Sequence, residues 1–300
     1  MKEPNRRNFL KSSLAAGGAL AALGEALPAK ADAAAGEKKF KISLAAWSLH
    51  NEFRTTWTNL DLPMIAREEF GLEGVEFVNS FFEAPRLVYL KELRKRADHY
   101  GVELVLIMCD GEGDMAHEDQ REREQAVISH YKWVDAAHFL GCKAIRGNAG
   151  YTTAGTVDER VKRCAGSYRK LCEYADQAGI NVLIENHGGF SSIPEKMLAI
   201  MKQVDHPRIG TLPDFGNFPP EVDRFAAIKA LLPYASTSVS AKCYDFDAQG
   251  RHIAFDMDRM IKEVIDSGYH SGYIGIEFEG EKTSPHDGVL ACKKYLERYQ

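Results

Sequence analysis

Cysteine pairs at metal-binding spacing are missing from this sequence. None of its six cysteines stands in a C-x-x-C arrangement, and most of them lie within apolar segments. This pattern argues against a disulfide framework and against a zinc site built on thiolates. The sequence therefore predicts six buried thiols, at Cys109, Cys142, Cys164, Cys172, Cys243 and Cys292.

An excess of positive charge and a Pro/Ser-rich linker are also absent. The chain has 38 Lys and Arg residues against 43 Asp and Glu residues, for a net charge of −5. An acidic chain is a poor partner for the phosphate backbone of a nucleic acid. The chain is long enough for one large domain with a single core, and no linker divides it.

The N-terminal segment lacks the length and the hydrophobicity of a stable membrane span, and Glu25 interrupts it. It contains RRNFLK at 6–11, then a Gly/Ala-rich stretch, then Ala-Lys-Ala at 29–31. This order is typical of a twin-arginine export signal with a cleavage site. We expect a signal peptide over residues 1–31, a flexible linker over 32–39 and a folded domain over 40–300. The predicted location is the periplasm or another exported compartment.

From residue 40 onward the chain repeats an amphipathic helical segment, a glycine and a short apolar run. Gly101, Gly141 and Gly179 each fit a helix C-cap and are spaced 40 and 38 residues apart. That spacing is the length of a βα unit rather than of a hairpin. Eight strands are predicted, at residues 40–47, 74–78, 103–108, 143–147, 181–185, 208–214, 236–242 and 273–279.

Eight strands that alternate with helices predict an α/β protein, a single-domain (β/α)8 TIM barrel of about 34 residues per unit. The alternative is a doubly wound open sheet. That fold carries a Gly-rich phosphate-binding loop after its first strand, and the segment AAWSLHNEF has no such loop. The absence favours the barrel.

Polar residues stand at the ends of the predicted strands. In a barrel, alternate residues of each strand point inward, and active sites form at the carboxyl ends of the strands. The fifth strand, NVLIE, therefore places Leu183 and Glu185 on its inward face. The polar residues predicted to converge on the mouth are Glu76, Arg146, Glu185, Asp214, Ser240, Lys242 and Glu277.

Four of these inward residues are carboxylates. They cannot share one pocket without raised pKa values, a cation, or both. A hard or borderline divalent metal is the simplest cation for a site rich in oxygen ligands. The pattern therefore indicates a metal site at the barrel mouth.

At these residues the chain resembles a known family. The segments LIENHGG, TLPDFGNF, SAKCYDFD and GYIGIEFEGE resemble, in that order, the xylose isomerase-like barrel superfamily of sugar phosphate isomerases and epimerases. The resemblance covers roughly residues 40 to 298. It implies a divalent ion, Mn, Mg, Co or Zn, held by Glu185, Asp214 and Glu277. It also implies that Glu185 and Glu277 act as acid and base on either side of the substrate.

The seventh strand departs from the family pattern. Members commonly carry His-x-His-x-Lys, whereas this chain has Ser238-Val239-Ser240-Ala241-Lys242, so the imidazole ligand is absent at Ser240. Water, a substrate hydroxyl or His187 would then complete the metal shell. The alternative is a weak or empty metal site in which Lys242 supplies the positive charge.

The expected chemistry is proton abstraction next to a carbonyl of a small carbohydrate, through an enediolate. Isomerisation and epimerisation share this step, and the same residues permit lyase or hydratase chemistry on a keto-sugar or keto-glycoside. The catalytic candidates are Glu185, Glu277, His187 and Lys242, and the candidate substrate contacts are Glu76, Arg146, His50 and Asn217.

Two other functions stay open at this point. One is an endonuclease for abasic DNA, but that branch of the superfamily uses several histidines at strand ends, and here only His50 and His187 are expected there. The other is a non-catalytic exported sugar-binding barrel, which the missing imidazole at Ser240 favours. No nucleic-acid partner is expected, and a homo-oligomer is compatible with the sequence.

Overall fold

The computed structural model describes residues 39–269 and 272–300. The expected signal peptide at 1–31 and the expected linker up to residue 38 lie outside the described residues. The strands are β1 (Lys41–Ala45), β2 (Gly74–Val78), β3 (Glu103–Met108), β4 (Ala144–Gly147), β5 (Asn181–Glu185), β6 (Ile209–Leu212), β7 (Ser238–Cys243) and β8 (Tyr273–Phe278).

All eight strands are parallel and neighbour one another in the order β6-β5-β4-β3-β2-β1-β8-β7. Two isolated parallel bridges, Thr211 to Ala235 and Asp214 to Ser240, join the two edge strands. The strands therefore form a nearly closed barrel, which confirms the predicted single-domain TIM barrel.

The helices alternate with the strands, as the repeating pattern predicts. They are α1 (His50–Phe53), α2 (Leu62–Met64), α3 (Leu87–Tyr100), α4 (Gln120–Leu140), α5 (Val157–Ala178), α6 (Pro194–Val204), α7 (Arg224–Leu231), α8 (Met257–Asp266) and α9 (Pro285–Glu297). Helices α3, α4 and α5 end at Gly101, Gly141 and Gly179, whose φ angles are 63°, 78° and 70°. Glycine adopts this left-handed conformation without steric cost, so each helix stops where the spacing predicts.

Helix α5 shows why these segments pack on the barrel. Residues three or four apart along it share one face. The buried residues of that face are Val161, Cys164, Ala165, Ser167, Tyr168, Leu171, Cys172 and Ala175. The outward-facing Val182 and Ile184 of β5 are also fully buried, so the main core lies between the strands and the surrounding helices.

The boundaries of β2, β3 and β5 agree with the prediction, whereas β1 ends two residues early. Residues Ala46–Leu49 form a 3-10 turn instead of continuing the strand. The Ser48 hydroxyl donates to the carbonyl of Ile276 at 3.0 Å and accepts from the amide of Phe278 at 2.9 Å. These bonds attach the turn to β8 and redirect the chain after Ala45.

Two further expectations concern the cysteines and the membrane. All six cysteines are buried and unpaired with one another, which confirms the prediction of buried thiols. Among the described helices, none combines the length and apolar character that a membrane crossing requires.

Candidate active site

Three buried carboxylates meet at the carboxyl ends of the strands. Glu185 is the last residue of β5, Glu277 lies near the end of β8, and Asp214 follows β6. One oxygen from each of the three lies within 4.8 Å of the others. Because inward parity and strand ends bring them together, residues 29 and 63 positions apart in the sequence share one site.

Asp214 is held in place by hydrogen bonds to both its backbone and its carboxylate. Its amide donates to Asn186 Oδ1 at 2.8 Å, and its carbonyl accepts from Asn186 Nδ2 at 3.0 Å. The amides of Gly216 and Asn217 each donate to Asp214 Oδ1 at 2.8 Å. The other carboxylate oxygen accepts from Ser240 Oγ at 2.7 Å. Three hydrogen bonds therefore orient the carboxylate, and Asn186 fixes the backbone that carries it.

Two buried cations face the carboxylates. Arg146, at the end of β4, lies 2.7 Å from Asp110 through Nη1 and 2.7 Å from Glu185 Oε2 through Nε. Lys242, on β7, lies 2.9 Å from Glu277 Oε1 and 3.5 Å from Glu279 Oε2. Burial without such partners would be costly for either charge.

The charges at the mouth are not fully balanced. Burial raises the pKa of Glu185 to about 7, an effect that Arg146 opposes and Glu277 increases. Burial likewise raises the pKa of Asp214 to about 7, against the charge of Lys242. Burial lowers the pKa of Lys242, but the nearby carboxylates, Asp214 first, outweigh it and hold this pKa well above its ordinary value. The excess negative charge of the cluster therefore favours binding of another cation or a proton.

The donor set fits a divalent metal. Glu185, Asp214 and Glu277 offer only carboxylate oxygens, which suit hard cations. The Arg146 Nε–H bond is not aligned with Glu185 Oε2, so this buried oxygen accepts no hydrogen bond from the described residues. A carboxylate oxygen that accepts no hydrogen bond, beside two other carboxylates, suits a metal ligand set even though it is ion-paired with Arg146. Ser240 adds a hydroxyl where the family carries an imidazole.

The two candidate histidines lie at the mouth but outside the carboxylate cluster. His187 is half-buried two residues after β5, and burial, followed by the charges of Arg146 and Lys242, lowers its pKa. Its imidazole is therefore neutral at pH 7. His50 stacks on Trp47, with ring centroids 4.9 Å apart, and its Nδ1 lies 2.9 Å from the Trp47 carbonyl.

Of the other predicted contacts, Asn217 lies within the site and Glu76 lies below it. Asn217 donates through Nδ2 to Glu185 Oε1 at 3.0 Å and accepts from Lys242 Nζ at 3.2 Å. Glu76 is 0% exposed and accepts at Oε1 from Ser43 and Ser238, both at 2.6 Å. Since Ser238 precedes Ser240 by two residues on β7, Glu76 occupies the next layer down. This enclosure favours a structural role over a substrate contact.

Sequence reasoning assigned no role to four polar residues of the mouth. Asp110 pairs with Arg146, and Asn186 holds Asp214. Trp47 donates through Nε1 to Glu279 at 2.6 Å, and Glu279 reaches Lys242. Each of the four stands directly at or just beyond a predicted strand end, a position that could have identified them.

Comparison with known proteins agrees with the fold. The sequence model of the xylose isomerase-like TIM barrel matches residues 66–299, and that of the twin-arginine translocation signal sequence matches residues 3–24. A curated uncharacterised protein of Methanocaldococcus jannaschii is 25% identical over 161 residues, which are 51% of this chain and 54% of that protein. The chain thus spans about half the length of this curated relative.

Solved structures share the fold at low sequence identity. A D-tagatose 3-epimerase-like protein superposes with a TM-score of 0.71 at 19% identity, covering 86% of this chain and 98% of that one. The 3-keto-D-glucoside 4-epimerase of E. coli gives 0.69 at 14%, covering 87% and 100%. A xylose isomerase-like barrel protein of Mycobacterium smegmatis, in complex with magnesium, gives 0.64 at 17%, covering 86% and 96%.

The family match spans most of the folded domain, and the structure supplies the eight-stranded barrel that the family name describes. The N-terminal match supports export by the twin-arginine route. The chain belongs to the xylose isomerase-like TIM barrel family.

Proposed function

We propose that this protein is an exported, metal-dependent isomerase or epimerase of a small carbohydrate. The observation that carries the proposal is the meeting of Glu185, Asp214 and Glu277 at the barrel mouth beside two buried cations. Proton transfer at carbon needs a base of suitable pKa and a means to stabilise the anion that forms. Both are present in this cluster.

Glu185 and Glu277 are the proposed acid and base pair. In the metal-free cluster burial raises the pKa of Glu185 to about 7, which makes it a stronger base than an exposed carboxylate. Epimerisation needs a second group for the opposite face of the reacting carbon. Glu277 is that group, and Lys242 at 2.9 Å keeps its carboxylate oriented.

Arg146 and Lys242 stabilise the negative charge that develops on the substrate oxygens. Both are buried and held by carboxylates, so they require little reorganisation during the reaction. A divalent ion held by Glu185, Asp214 and Glu277 would add Lewis-acid polarisation of the substrate carbonyl when bound. Its identity among Mn, Mg, Co and Zn follows from the metal supply as much as from the ligands.

Substrate contacts are assigned to residues around the cluster. Neutral His187 is able to donate or accept a hydrogen bond from a sugar hydroxyl, and it is a candidate proton shuttle. Asn217 and His50 offer further polar groups at the mouth. The match to a twin-arginine signal supports a reaction in the periplasm or outside the cell.

The test is solvent deuterium exchange. The purified protein is incubated in D2O with Mn²⁺ and a panel of keto-sugars and keto-glycosides, and proton NMR follows the hydrogens next to the carbonyl. We expect exchange together with the appearance of an epimer or isomer. Glu277→Gln should abolish epimer formation, while Glu122→Gln, on the exposed start of α4, should leave it unchanged.

The outcome separates the competing functions. An elimination product without an epimer would replace the isomerase assignment with a lyase that uses the same residues. Sugar binding without exchange for any substrate, in the presence of metal, would contradict catalysis and favour a binding protein.

A further inference from the structure

Lys242 interacts with more than one residue of the carboxylate cluster. Its Nζ lies 2.9 Å from Glu277 Oε1 and donates to Asn217 Oδ1 at 3.2 Å. Asn217 in turn donates to Glu185 Oε1 at 3.0 Å. The ammonium therefore contacts one of the proposed metal ligands directly and reaches a second through Asn217.

The chain around Lys242 is shaped to hold it there. A Cβ atom at Gly216 would lie 2.8 Å from both Cγ and Cδ of Lys242, so the loop after Asp214 has room for the lysine stem only because residue 216 is glycine. Lys242 is 3% exposed, so its ammonium has little contact with water in this position. The positive charge is thus built into the site.

Glu279 is a second carboxylate close to the ammonium of Lys242. Glu279 Oε2 lies 3.5 Å from Lys242 Nζ, farther than Glu277 Oε1 at 2.9 Å. Trp47 Nε1 donates to the other oxygen of Glu279 at 2.6 Å and fixes its orientation. Glu279 is half-exposed, at the outer edge of the mouth, and it is not a member of the carboxylate triad.

We propose that Lys242 and a divalent metal compete for Glu277, and that metal binding transfers the ammonium from Glu277 to Glu279. A monovalent and a divalent cation repel one another strongly when both contact the same carboxylate. The lysine therefore acts as the counter-ion of the metal-free site and weakens metal binding. The inference rests on the proposed metal-dependent function. It concerns the residues around a metal site in which Ser240 stands where the family carries an imidazole ligand.

The test is calorimetric titration of the EDTA-treated full chain with MnCl2. Lys242→Met should lower the Kd for Mn²⁺ by at least about tenfold, because it removes a like charge from the site. Glu279→Gln should raise the Kd, because the displaced ammonium loses its second partner. Lys229→Met, on the exposed face of α7, is the matched control and should leave the Kd unchanged.

A double variant, Lys242→Met with Glu279→Gln, tests whether Glu279 affects metal binding through Lys242 or only through its own negative charge. If Glu279 acts through Lys242, the Glu279→Gln substitution should have little effect on the Kd in the Lys242→Met background. An equal effect in both backgrounds would overturn the transfer step. If circular dichroism shows that Lys242→Met does not fold, Lys242→Gln replaces it with a neutral group that still donates to Asn217.

Failure of this inference can be distinguished from failure of the proposed function. Mn²⁺ binding by the unmodified protein with the same or a higher Kd in Lys242→Met would overturn this inference and leave the metal site standing. Absence of Mn²⁺ binding in both proteins would overturn the inference together with the metal dependence of the proposed function.

Discussion

Two layers of the barrel interior bury carboxylates in opposite ways. In the lower layer, Glu76 accepts hydrogen bonds from the hydroxyls of Ser43 and Ser238 and forms no ion pair with any described residue. In the upper layer, Glu185 and Glu277 lie 2.7 Å and 2.9 Å from Arg146 and Lys242. Both layers are closed to solvent, so burial alone does not distinguish them.

The difference between the two layers indicates that the groups in contact with a buried carboxylate decide its role. Burial raises the pKa of Glu76 to about 7, and the two serine hydroxyls, followed by the more distant charge of Arg146, only partly oppose it. The upper carboxylates lie beside fixed cations at the carboxyl ends of the strands, where the active sites of TIM barrels form. We therefore expect substitutions in the upper layer to affect reactivity and substitutions in the lower layer to affect stability.

The largest contrast is expected in catalysis. Glu185→Gln should reduce the rate of deuterium exchange by about 10²- to 10⁴-fold, because it removes a general base. Glu76→Gln should change the same rate by less than about threefold, since Glu76 is enclosed one layer below. NMR exchange rates for the two variants, with folding checked by circular dichroism, measure this contrast. Comparable losses in both variants would contradict the separation of the layers.

The next largest effect is expected from Arg146, which lies at 3% exposure between two carboxylates. Arg146→Met should lower the free energy of unfolding by about 3–5 kcal/mol, because it leaves buried charges unpaired. Urea denaturation measures the change. The control is Arg67→Met, which breaks an exposed pair with Glu73 and should cost less than about 1 kcal/mol. Equal losses in the free energy of unfolding for the two variants would mean that burial of the Arg146 ion pairs does not increase their effect on stability.

The third effect is a pH dependence in the lower layer. Because folding raises the pKa of Glu76 from 4.5 to about 7, its contribution to stability is complete below pH 4.5 and is lost as the pH rises through 7. Glu76→Gln removes this loss. Relative to the unmodified protein, the variant should therefore gain up to about 3 kcal/mol between pH 4.5 and pH 8. Urea midpoints at several pH values test this, and a difference that does not change with pH would refute it.

The smallest effect concerns the space around Glu76. A Cβ at Gly275 would lie 2.5 Å from Glu76 Oε1, so Gly275→Ala should destabilise the fold by about 1–3 kcal/mol through overpacking. Gly166→Ala is the matched control, since a Cβ there meets nothing within 4 Å and the residue lies inside helix α5. That control should stabilise the fold by about 0.5–1 kcal/mol. Thermal unfolding compares the two, and a tolerated Gly275→Ala would show that the lower layer is loosely packed.

Much of the fold could be predicted because its signals are local. The glycine spacing and the apolar runs identify the βα repeat, and the limits of β2, β3 and β5 follow directly. The end of β1 could not be predicted, because the hydrogen bonds of Ser48 to β8 connect residues more than 200 positions apart. Asp214 lies beyond β6 rather than within it, since its pairing is a single bridge to Ser240.

The sequence by itself determined which side chains face the barrel interior. A strand alternates its side chains with a period of two, so the parity of Glu185, Lys242 and Glu277 can be read without knowing any contact. Only the tertiary structure decided the partners: Lys242 between Glu277 and Glu279, Arg146 between Asp110 and Glu185, and Glu76 one layer below them. Parity is a property of one strand, whereas depth and charge pairing depend on the register between strands and on loops that close around the site.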